Sequence, residues 1–161
     1  MLFRSCKESN EAALFSIVFW GYPLGYTRPN TINSLFPKLL ETIPKLSTYL
    51  HLHGDISNKD LKMILASLSG VGLSTFTKFL YFFQMTINGE RAIILDSRII
   101  KVLQTDNFKE LSTLNKITET NKDKYYINYL QVMGAVANAN NCSVDQLELF
   151  LFMFGNNLKS I

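Results

Sequence analysis

Apolar side chains recur every three or four positions along most of this chain, and glycine, proline and capping residues interrupt the recurrence, so the pattern predicts short helices. No alternating apolar and polar stretch runs longer than a few residues. Ser9 is placed to cap a helix from Glu11 to Trp20, which Gly21 and Pro23 end, and GYPLGYTRPN follows as a loop. Beyond Asn33, Leu35, Phe36, Leu39, Leu40, Ile43 and Leu46 form a stripe that contains Pro37 and Pro44. Proline lacks an N–H, so two short helices or a kinked pair are expected there. HLHGD breaks the pattern. Ser57, with Asp60 three residues on, makes a capping-box-like start for a helix with Leu61, Ile64, Leu65 and Leu68 on one face, ending at Ser69-Gly70.

A second helix is expected from Leu73 to Gln84, and TINGE reads as a turn before the apolar triplet Ile93-Ile94-Leu95. Asp96 then caps a helix through Ser97 to Leu103. Residues 105 to 124 form the most polar stretch, holding a loop and a short helix around Phe108 to Leu114. Tyr125 to Asn138 is helical again. Ser143 with Gln146 repeats the capping-box signature and opens a helix with Leu147, Phe150, Leu151 and Phe154 in an apolar stripe, ended by Gly155. The expected architecture is all-α: one compact domain of short helices spanning residues 1–161.

Between two of these helices lies LSGVGLSTFTKFLYFF, residues 68–83. Its glycines tolerate the positive φ and close approach of a tight hairpin. The following helix begins with unpaired N–H groups and roughly half a positive charge, which suits a phosphate. Ser74 and Thr75 stand in its first turn. By itself this is also what a plain helix-helix connection looks like. Lys78 sits inside the otherwise apolar second run, where a lysine either snorkels to solvent or serves a site.

The order helix, LSGVG, helix, apolar triplet, aspartate-capped helix resembles the helix-hairpin-helix DNA glycosylases. Leu68, Gly70, Val71 and Gly72 match their LPGVG hairpin, with Ser69 in place of the usual proline, and Leu95-Asp96-Ser97-Arg98-Ile99 matches their aspartate segment. STFTKFLYF followed by ILDSRII, with Glu148-Leu149-Phe150-Leu151-Phe152 near the end, is similar to the 8-oxoguanine DNA glycosylase-like branch. The likeness is fullest over residues 57–103. It implies a helix-hairpin-helix motif inside the all-α domain, double-stranded DNA with a damaged or modified base as partner, a monomer, and phosphates gripped by Gly70, Val71, Gly72, Ser74 and Thr75. It also implies Asp96 as a catalytic carboxylate. Bifunctional members carry a nucleophilic lysine two residues after the last hairpin glycine. That position here is Ser74. Lys78 lies four residues further, on the same helix face and about 6 Å along the axis, within reach of a lysine stem.

Cleaving a base from deoxyribose builds positive charge on the sugar, which a carboxylate stabilises. An amine that attacks C1′ must be neutral. Desolvation among Phe76, Phe79, Leu80 and Phe82 lowers a lysine pKa, and a neighbouring Asp96 raises it, so burial and pairing compete. Trp20, Tyr22, Phe150 and Phe154 are candidates for the pocket of an extruded base, or for core. The resemblance therefore implies a DNA glycosylase with AP-lyase activity that excises an oxidised or modified base, 8-oxoguanine in the branch it resembles. The alternatives are a non-catalytic helix-hairpin-helix DNA-binding module and a helical protein-interaction domain.

Composition narrows this only at the edges. The 161 residues are 47% hydrophobic and 18% charged, an ordinary globular balance. A net charge of +3 permits a polyanionic partner without requiring one. The apolar runs fall short of the roughly 18 residues of a bilayer span, and the N-terminus lacks the features of a signal peptide, so a cytoplasmic protein is expected. Cys6 and Cys142 are then free thiols. His51 and His53 have no Cys or carboxylate pair nearby, so no metal ligand is assigned. Four cysteines for an iron-sulfur cluster are lacking. No cofactor is expected beyond a monovalent cation at the hairpin, which the resemblance allows.

Overall fold

The computed structural model describes residues 10–21, 26–27, 30–52, 54–68, 70–155 and 157. Helix α1 (Asn10–Gly21) is followed by a two-residue antiparallel pair, β1 (Tyr26–Thr27) with β2 (Asn30–Thr31), and by α2 (Ile32–Leu52). The expected Ser9 cap lies outside the described residues. Helix α2 corrects the two-helix expectation: it runs unbroken through Pro37 and Pro44. Each proline removes a backbone donor, at up to about 3 kcal/mol in a helix interior. Burial of Ile43, Leu46 and Leu50 beside α1, whose Leu14, Ile17 and Val18 are also buried, offsets that loss.

Strand β3 (Asp55–Ile56) then precedes α3 (Asn58–Ser67), whose start is the capping arrangement expected of Ser57. The Ser57 hydroxyl accepts from Asp60 N at 3.1 Å and donates to Asp60 Oδ2 at 2.6 Å. A turn leads into α4 (Leu73–Phe82). The next strands, β4 (Thr86–Ile87) and β5 (Glu90–Arg91), form a hairpin around Asn88 (φ 50°) and Gly89 (φ 81°), the left-handed pair that an Asn-Gly hairpin requires. Strand β3 pairs parallel with β4, giving a three-stranded sheet.

The C-terminal half is α5 (Ser97–Gln104), a 3-10 helix (Lys109–Leu114), α6 (Lys122–Ala139) and α7 (Val144–Phe154). Helix α7 opens with the full capping box between Ser143 and Gln146. The protein is all-α, with strands of two residues only among those described. Buried residues of every helix except α3 and α7 in number, and of those two through Leu61 and Leu151, join one apolar cluster centred on Phe76, Phe79, Leu80, Tyr126 and Tyr129. Among the described residues no helix is long and apolar enough to cross a membrane.

Gly155 does end α7, but not through a left-handed turn: its φ is −54°. Glycine is needed there because a Cβ would collide with both Val102 methyl groups of α5. Gly155→Ala is therefore expected to lower stability by about 1–3 kcal/mol through overpacking, read as a lower urea midpoint.

Candidate active site

Four residues outside regular secondary structure, Ala92 to Leu95, lead from the β5 strand toward α5 and are buried throughout. Outside a sheet ladder, their backbone groups must find other partners. Ala92 N donates to Met85 O at 3.0 Å. Tyr126 OH donates to Ile93 O at 2.8 Å and Tyr129 OH to Ile94 O at 2.9 Å, both from α6. Helix α4 supplies two more: Leu95 N donates to Thr77 Oγ1 at 3.3 Å, and Ser74 Oγ donates to Leu95 O at 3.0 Å. This strut ends at Asp96.

Asp96 caps α5 with one oxygen only. Its Oδ1 accepts from Arg98 N at 3.0 Å and Ile99 N at 3.2 Å. Its Oδ2 faces Lys78 Nζ at 3.8 Å, both side chains being mostly shielded, 16% and 13% exposed. The sequence expectation brought these two together, and the structure does so through Ser74 and Thr77, which bind Lys78's own helix to the strut. Burial pushes the Lys78 amine below the ordinary lysine range, Asp96 opposes that, and a second ammonium, Lys122, adds to it.

Lys122 and Glu148 are the site residues that sequence reasoning missed. Lys122 stands at the start of α6, with Nζ donating to Ser74 Oγ and Glu119 Oε2, each at 2.6 Å. Glu148 is buried on α7, and desolvation, with Asp96 and Asp145 as like charges, raises its carboxyl from 4.5 to about 7. One turn further, the Phe152 ring lies under the Arg98 guanidinium at 4.3 Å. The face of α7 carrying Glu148 and Phe152 is therefore the one turned toward the start of α5.

The other predicted positions distribute as follows. Gly70, with φ 79°, and Gly72, the cap residue of α4, are exposed in the turn, and space around Gly72 is open. Val71 buries its side chain and donates its N–H to Leu68 O at 3.3 Å. Thr75 is half-buried in the first turn. Ser74 is engaged inward, donating to Leu95 O and accepting from Lys122. Phe150 and Phe154 are 41% and 52% exposed, with Phe150 edge-on to Phe108. Tyr22, the Trp20 side chain and Cys6 lie outside the described residues. Cys142 carries a free thiol, and among the described residues no three His, Cys, Asp or Glu side chains gather as a metal site.

A family model described as "Putative 8-oxoguanine DNA glycosylase OGG-like protein" matches residues 4–152. The chain belongs to that family. No curated protein and no solved structure matches it. The OGG-like match spans every element from α1 to α6 and most of α7, so the Lys78–Asp96 pair, Lys122 and Glu148 all fall inside it.

The raised Glu148 carboxyl has a consequence for stability. Protonated in the folded chain at a pH where the unfolded chain has ionised it, the carboxyl contributes stability that is full below about 4.5 and lost as pH rises through about 7. The swing is of order 3 kcal/mol. Glu148→Gln, neutral at every pH, is expected to match the parent near pH 4.5 and to exceed it at pH 8, read by urea midpoints at the two pH values.

Proposed function

We propose that this protein is a DNA glycosylase with AP-lyase activity, acting on duplex DNA that carries an oxidised guanine. The observation that carries the reading is the 3.8 Å approach of Lys78 Nζ to Asp96 Oδ2, beside a glycine turn, in a chain of the OGG-like family. Exposed Gly70 and Gly72 and the opening N–H groups of α4 receive a phosphate, with Thr75 beside them. Ser74 supports the strut instead. The base is extruded. We assign its pocket to the α7 face of Glu148 and Phe152 rather than to Phe150 and Phe154, because the former pair adjoins Asp96 and Arg98.

In the reaction the neutral Lys78 amine attacks C1′. The bond from C1′ to the base nitrogen breaks, its electron pair leaves with the base, and the base takes up a proton. Asp96 Oδ2 stabilises the positive charge that develops on the sugar. The proton that the base takes up is the one that the attacking nitrogen gives up, the ring oxygen departs from C1′ with its electron pair and takes a proton from water, and a protonated imine links Nζ to the opened sugar. Removal of a C2′ proton expels the 3′-phosphate and nicks the strand, and water then hydrolyses the imine to restore Lys78. Nothing beyond water and the two side chains is consumed or required.

Base release and strand nicking on an 8-oxoguanine duplex, measured separately with and without alkali, test this. The parent chain releases base and nicks without alkali. Lys78→Met loses nicking, and Asp96→Asn slows base release by at least about a hundredfold. Base release with no nicking by the parent chain would leave a monofunctional glycosylase, and salt-sensitive DNA binding with neither product would leave a non-catalytic module.

A further inference from the structure

Ser74, the position where the family resemblance puts a nucleophile, is occupied by another lysine's head group. Lys122 Nζ sits 2.6 Å from Ser74 Oγ, and Ser74 spends its own hydroxyl proton on Leu95 O, so Lys122 is the donor in that contact. A second anchor at 2.6 Å, Glu119 Oε2, holds the same ammonium from three residues upstream. Its side chain is 14% exposed. Ser74 and Lys78 are one helical turn apart on α4, so an ammonium fixed at Ser74 lies close enough to act electrostatically on the Lys78 amine.

We infer that Lys122 is a positioning residue that acts on Lys78 by like-charge repulsion, keeping the nucleophilic amine free of its proton while itself staying charged between Ser74 and Glu119. The inference rests on the reading of Lys78 as the nucleophile. Lys122 has a carboxylate at hydrogen-bonding distance, and the Asp96 carboxylate, 3.8 Å from Lys78, also caps α5. Lys78 is faced by Asp96 from the start of α5 and by Lys122 from α6, and Asp96 in turn acts on Glu148 of α7. Burial and Lys122 both push Lys78 down. A neighbouring cation is a recognised way to free a lysine for Schiff-base chemistry.

The test reads Lys78 directly. Its acylation by an amine-directed reagent is followed against pH by peptide mass spectrometry in the full chain, beside nicking of an abasic duplex. Lys122→Met is expected to raise the midpoint of Lys78 labelling by about one pH unit and to slow nicking at pH 7 about tenfold. Lys122→Arg, which keeps the charge and so also controls for folding, leaves the midpoint in place. Ser74→Ala, which removes the tether and no charge, raises it by less. An unchanged midpoint in Lys122→Met overturns the inference, whatever happens to nicking. A raised midpoint in a chain that never nicks keeps the coupling and removes the lyase reading. Nicking that survives Lys78→Met and disappears in Lys122→Met makes Lys122 the nucleophile and overturns both.

Discussion

The segment Ala92 to Leu95 is buried outside regular secondary structure, and four of its backbone polar groups are satisfied by side chains of α4 and α6: two tyrosine hydroxyls, a threonine and a serine. Each of these bonds answers a group that would otherwise cost about 1–3 kcal/mol if left unpaired in the core. The segment has one place where all of them are met. Asp96 follows directly, and its orientation is fixed again by its own cap bonds. The distance from carboxylate to amine is thus set by core packing and buried hydrogen bonds, not by a flexible surface pair, and this is the arrangement that preorganised catalysis needs.

Around that strut four ionisable groups are balanced against one another. Lys78 and Glu148 are both pushed toward their neutral forms by burial, while Asp96 and Lys122 hold the opposing charges. A buried amine beside a carboxylate would simply become an ion pair if nothing opposed it. Here Asp96 divides its charge between the helix cap and the amine, and a second cation stands within a helical turn. The same layout explains why Ser74 need not be a lysine: it serves as the acceptor that docks one.

Much of this was legible along the chain where the physics is local. Caps at Ser57, Asp96 and Ser143 announce themselves through side-chain spacing, and Gly70 of the hairpin through its positive φ, whereas Gly72 stands at φ −82°, open to any residue. The approach of Lys78 to Asp96 was legible only through the family pattern, because no local rule joins residues eighteen apart. Lys122 was hidden in the most polar stretch, where a lysine reads as solvated, and its partner Ser74 lies forty-eight residues away. Glu148 was hidden inside an apolar stripe that its own burial extends. Helix α2 failed in the other direction: the local cost of two prolines was read correctly, but tertiary burial of Ile43, Leu46 and Leu50 outweighs it.

The amine of α4, held opposite Asp96 by the strut, is the group proposed to meet the sugar. Borohydride reduction during reaction with an 8-oxoguanine duplex, followed by nuclease digestion and peptide sequencing by mass spectrometry, locates the lysine that carries the reduced sugar. The adduct is expected on Lys78, the assignment made above. An adduct on Lys122 or on any other lysine would contradict it.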